Sequence, residues 1–83
     1  MKFRAEIDVM PHKELLDPQG KAVAQGLQKL DFEEIGEVRV GRHITMRLNA
    51  ASEKEAKAKV EEACKKLLAN AIMEGYTYSI YAE

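Results

Sequence analysis

From Lys2 to Val9 the chain alternates without a break, with Phe3, Ala5, Ile7 and Val9 on one parity and Lys2, Arg4, Glu6 and Asp8 on the other. Period two is the repeat of a β-strand, so the segment predicts a strand with one buried and one wet face. A sheet built on such a strand must be covered on its apolar side by another layer. Met10-Pro11 is expected to end the strand, because proline cannot donate to a paired ladder.

Two segments have the pattern needed for that cover. After a connection from Pro11 to Leu16, Asp17 suits a helix N-cap and Pro18 the first helical position, where no N–H is needed. Ala22, Val23, Gly26, Leu27 and Leu30 then recur at helical spacing, predicting a helix from Pro18 to about Leu30. Gly20 and Gly26 each weaken it by about 1 kcal/mol relative to alanine, so packing must hold it. The second helix starts at Ser52-Glu53-Lys54-Glu55, a capping box in which Glu55 reaches back to the Ser52 amide. Its apolar stripe is Ala56, Val60, Ala63, Cys64, Leu67, Leu68 and Ala71.

Between the helices, Val38, Val40, Ile44, Met46 and Leu48 share one parity, with Arg39, Thr45, Arg47 and Asn49 on the other. This fits one long strand bent at Gly41, or a hairpin with Gly41, Arg42 and His43 as a three-residue loop. A last strand follows Gly75, with Tyr76, Tyr78, Ile80 and Ala82 inward and Thr77, Ser79 and Tyr81 outward. The order β-α-β(-β)-α-β gives a single α+β domain over residues 1–83, a two-layer sandwich of ferredoxin-like character. Its sheet is mainly antiparallel, has three to four strands, and carries two helices on one face.

A chain of 83 residues buries only about 60% of the surface its unfolded form exposes. One cysteine, Cys64, rules out an internal disulfide, and His12 and His43 lack ligand-spaced companions for a structural metal. Association with other chains is the remaining source of stability. The net charge of −1, from 13 basic and 14 acidic residues, lacks the basic excess of a nucleic-acid-binding surface. The first residues have no apolar h-region, and no apolar run reaches the roughly 18 residues of a membrane span, so neither export nor membrane insertion is expected. The cytoplasm is the expected compartment.

A catalytic constellation is missing from the sequence pattern. Cys64 lies on the apolar stripe of the second helix, where a thiol behaves as a small hydrophobe. No phosphate-cradling glycine loop occurs, and Glu33-Glu34 and Glu61-Glu62 read as solvated faces. RNA-recognition modules share the strand order but stack bases on exposed sheet aromatics, and here only Tyr81 faces outward. A small-molecule-binding regulatory module of ferredoxin-like type is the alternative function. The candidate recognition residues are Asp17, Pro18, Gln19 and Gly20 at the first helix start, and Arg39, Gly41, Arg42 and His43 at the bend. Exposed strand edges add unpaired backbone groups for self-association.

Four stretches carry a resemblance. They are Leu16-Asp17-Pro18-Gln19-Gly20-Lys21-Ala22-Val23, Val38-Arg39-Val40-Gly41-Arg42, Cys64-Lys65-Lys66-Leu67-Leu68-Ala69-Asn70 and Ile72-Met73-Glu74-Gly75-Tyr76. In this order and spacing the chain resembles the PurS family, the small subunit of phosphoribosylformylglycinamidine synthase. The resemblance implies a role in the fourth step of purine biosynthesis. There a large synthetase subunit uses ATP to activate an amide and a glutaminase subunit releases ammonia. The small subunit would join the two as a homo-oligomer, a dimer or a dimer of dimers, and assist ammonia transfer. It would have no catalytic residues and no cofactor of its own.

Overall fold

The computed structural model describes residues 1–83. Its elements are β1 (Lys2–Pro11), α1 (Pro18–Lys29), β2 (Arg42–Asn49), α2 (Glu53–Ala63) and β3 (Glu74–Ala82), with a π-helical turn at Cys64–Leu68 continuing α2. The strands make one antiparallel sheet in the order β2-β1-β3. This is the expected α+β architecture, with the strand count at three. No helix is long and apolar enough to cross a membrane.

β1 is the centre of the sheet and of the core. Phe3, Ala5, Ile7 and Val9 are all buried, and they meet Ala56, Val60 and Cys64 of α2 and its extension. Ile44, Met46 and Leu48 of β2 and Tyr78 and Ile80 of β3 flank them on the same face. The parity read for each strand is therefore the observed one. β1 ends at Pro11, as expected, and there Pro11 still pairs with Glu74 of β3. The reason is directional: pairing with β2 stops at Val9, and the missing N–H of Pro11 points to that vacant side, away from β3.

α2 starts as predicted, with the Ser52 hydroxyl accepting from the Glu55 amide at 3.2 Å. The Glu55 carboxylate reaches the amide of Ala51, at 3.1 Å, one residue earlier than a standard capping box. At Cys64 the helix widens, and the Ala69 amide bonds the Cys64 carbonyl five residues back at 3.0 Å. The extra residue in the turn rotates the stripe. Leu68 packs on the core, whereas Leu67, assigned to the stripe by simple 3.6-residue counting, is 84% exposed. Ala71 falls beyond the helix and is exposed.

The two helices divide their work unequally. Neither cluster of buried side chains includes a residue of α1, while Leu30 and Phe32 at its far end are exposed. The molecule measures 51 × 27 × 14 Å. Its radius of gyration is 16.4 Å, against about 12 Å for a compact chain of this length. Residues 36–41 form no paired strand, so the region read as a bent strand or hairpin is an extended lead into β2. The lead is held by side chains and not by a neighbouring strand.

α2 is also tied to the edge of the sheet through a polar contact. The Tyr76 hydroxyl donates to Glu61 Oε1 at 2.8 Å, and Tyr76 and Tyr78 stack at 6.4 Å between ring centroids. The hydrogen bond to Glu61, with burial second, pushes the Tyr76 hydroxyl up to about 12. Glu61→Gln should bring that titration down toward the ordinary tyrosine value of about 10. Ultraviolet absorbance against pH, compared with Tyr76→Phe to assign the step, checks this.

Candidate functional site

The first-helix and bend motifs meet at one end of the molecule, through a contact between residues 23 apart in sequence. Asp17 joins them. One carboxylate oxygen, Oδ1, accepts from the Gly20 amide at 3.0 Å and caps α1. The other, Oδ2, accepts from the Val40 amide at 2.9 Å. These two bonds, Gly20 first, hold the Asp17 carboxyl below its ordinary value. The Val40 amide is thus spent on a side chain, and residues 36–41 lack a donor that a fourth strand would need.

Gly20 and Gly41 are required here for space. A Cβ on Gly20 would overlap the Val38 carbonyl oxygen, and one on Gly41 would overlap the Val9 carbonyl and the Met10 sulfur. The Arg39 guanidinium donates to the Pro11 carbonyl, the group left facing the side where β2 has ended. Arg39 therefore lies in this latch and not on the outer sheet face, where strand parity places it.

Arg42 closes the other side. Its Nη1 donates to Glu74 Oε2 at 2.6 Å, and its Nη2 donates to Glu74 Oε1 at 2.9 Å and to the Leu68 carbonyl at 2.6 Å. The guanidinium thus caps the end of the π-helical turn and ties it to β2 and β3. Glu74 Oε1 also accepts from the Asn70 amide at 2.9 Å. Arg42, with the Asn70 amide second, holds the Glu74 carboxyl at about 2. A substitution at Arg42 thus acts on the fold as well as on the surface.

Between the two ties lies an open groove of about 390 Å³, whose lining includes Leu16, Pro18, Gln19, Gly41, Arg42 and Met73. All the candidate residues except His43 are accordingly brought together, and their polar side chains are largely occupied within the chain. His43 is separate: it lies on the outer sheet face, bonded to Asp8 and Glu6. The sequence reading missed Glu74 as the partner of Arg42. The local signal is Asn70, whose side chain accepts from the Ile72 amide at 3.0 Å in an Asx turn that delivers Glu74.

As chemistry, the arrangement holds backbone in place and offers no nucleophile. Cys64 is buried in the core, and burial, aided by Glu61, pushes its thiol up. No three His, Cys, Asp or Glu side chains are grouped so as to hold a metal ion.

The PurS family profile, described as phosphoribosylformylglycinamidine (FGAM) synthase, matches residues 4–82. The chain belongs to the PurS family. It is 36% identical over 80 residues to the phosphoribosylformylglycinamidine synthase subunit PurS of Synechocystis sp., covering 96% of this chain and 80% of the relative. The Bacillus subtilis subunit PurS is 32% identical over 78 residues, covering 94% and 92%. A chain in the structure of PurLQS from Thermotoga maritima matches at a TM-score of 0.89 and 26% identity, covering 98% of this chain and 99% of that one. Residues 16–23 and 38–42 are the two sides of the latch around Asp17.

Two outcomes test the latch. Asp17→Ala removes the α1 cap and strands the Val40 amide, and should lower the urea unfolding midpoint. The depressed Glu74 carboxyl contributes stability that is complete above its ordinary value of 4.5 and is lost as the pH falls toward about 2. Arg42→Ala should flatten the decline of the urea midpoint over that acid window while lowering it at neutral pH.

Proposed function

We propose that this chain is the non-catalytic small subunit of phosphoribosylformylglycinamidine synthase, joining its synthetase and glutaminase subunits and sheltering ammonia as it passes between them. The observation that carries this reading is unspent surface. The chain exposes 6152 Å², whereas a compact protein of 9.4 kDa exposes about 5,000 Å². The excess of about 1,100 Å² compares with the roughly 800 Å² that each partner buries in a standard interface. Only 11 of 83 residues are buried, too few to make the isolated chain more than marginally stable.

The surfaces that support association are the exposed apolar end of α1, the groove beside Pro18 and Gly41, and the free edges of β2 and β3. The reading takes the chain to be a homo-oligomer, a dimer or a dimer of dimers, that works in the cytoplasm without a cofactor. Passing ammonia through an assembly has a physical purpose. In bulk water near neutrality ammonia is almost wholly protonated and has no lone pair with which to attack an activated amide. A bridging subunit can keep it from solvent without reacting.

The test is ADP formation by the purified large and glutaminase subunits, supplied with formylglycinamide ribonucleotide, ATP and glutamine, with and without this chain. Glutamine-dependent turnover should require the chain, and turnover on added ammonia should require it less. Equal rates with and without it would end the bridging reading.

A further inference from the structure

The outer face of the sheet carries a polar network separate from the latch. His43 on β2 stands opposite Asp8 on β1. Its Nδ1 is 2.7 Å from Asp8 Oδ1, and its Nε2 is 2.6 Å from Glu6 Oε2. A neutral imidazole has one N–H and one lone pair, so it can donate to only one of these carboxylates. The other contact would then set a lone pair against an anionic oxygen. Only the imidazolium, with two N–H donors, satisfies both.

The surroundings decide which contact gives way. Glu6 Oε2 also accepts from the Thr45 hydroxyl at 2.7 Å, and Glu6 Oε1 lies 3.0 Å from Arg4 Nε, an ion pair that is off the axis of a hydrogen bond. Arg4 also pairs with Glu83, as does Arg47 of β2. From β3, Thr77 stands opposite Asp8 and Ser79 opposite Glu6, and neither titrates in this range. Asp8 is mostly exposed, and His43 is its only ion-pair partner. β2 is an edge strand, so this tie is made on the side of the sheet with no further strand to hold it.

We propose that His43 is a proton-operated clamp on the β2 edge: the imidazolium binds β2 to two carboxylates of β1, and loss of its proton hands Asp8 to water, loosens the β1–β2 pair and changes the charge of the outer face by one. The direction comes from the same contacts. Asp8 first and Glu6 second raise the imidazole above 6.5, against a smaller opposing effect of burial. A raised histidine stabilises the fold fully below its unfolded value of 6.5, and the contribution is lost as the pH rises through the higher folded value. The clamp therefore opens on the alkaline side of 6.5 and does not depend on the bridging function.

The experiment uses the full chain. Long-range nitrogen-15 NMR of the His43 ring from about pH 5.5 to about pH 9 should show both nitrogens protonated, with a midpoint above 6.5 that falls in the E6Q/D8N double variant. Amide exchange, corrected for its intrinsic pH dependence, should lose protection at the β1–β2 pairs across that midpoint by about two- to fivefold, the size expected of an exposed ion pair. His43→Gln should remove that pH dependence, and the β1–β3 pairs should show little of it in either protein. A single neutral tautomer with a midpoint at or below 6.5, or identical exchange profiles in the wild type and His43→Gln, would overturn the proposal.

Discussion

One strand carries most of this molecule. β1 is paired on both edges, and its four inward side chains, Phe3, Ala5, Ile7 and Val9, have almost no exposure. The core is the contact between that strand and one face of α2, with β2 and β3 widening it. Neither outer strand has another neighbour, and the layer above them is a single helix with its π-helical extension. Such a core is thin for the length of chain it must organise, and the rest of the architecture consists of ties near the Pro11 end of β1.

The ties are polar and long in sequence range. Asp17 holds Val40, Arg39 holds Pro11, and Arg42 holds Glu74 and the Leu68 carbonyl. Together they fix where α1 leaves the sheet although α1 contributes no side chain to the buried clusters. This separates two tasks that a larger domain would combine. Apolar packing orders the sheet, and a few charge-assisted hydrogen bonds set the direction of an arm whose apolar end remains exposed. An arm held at a set angle can meet a partner without the ordering cost that a flexible one would incur.

The elements themselves were legible because local signals and tertiary environment agree in them. The alternation of β1, the Ser52 cap and the Asp17-Pro18 start each name their structure from a few neighbouring residues. The failures have a common cause. Val38 and Val40 have the parity of a strand, but parity says nothing about a donor already taken by Asp17. Leu67 is apolar at the right spacing for an α-helix, but the helix widens before it. Arg42 looks like a surface charge until Glu74, 32 residues away, is seen beside it. His43 looks like any surface histidine until the β1–β2 register puts two carboxylates within reach of its ring. In every case but Leu67 the deciding partner lies on another element.

The π-helical turn bears on how this chain can vary in length. Surface loops usually absorb insertions and deletions at little cost. The stretch from Cys64 to Leu68 instead takes in its one surplus residue inside a helical turn, which brings Leu68 onto the core and the Leu68 carbonyl to Arg42. Drawn back to ordinary α-helical geometry with the same residues, the turn would rotate the chain beyond it by about 100°. The C-terminal strand would then begin out of phase with the groove, and Glu74 would no longer face its guanidinium. The wide turn is thus what keeps the chain between Val60 and Glu74 in phase with both the core and Arg42.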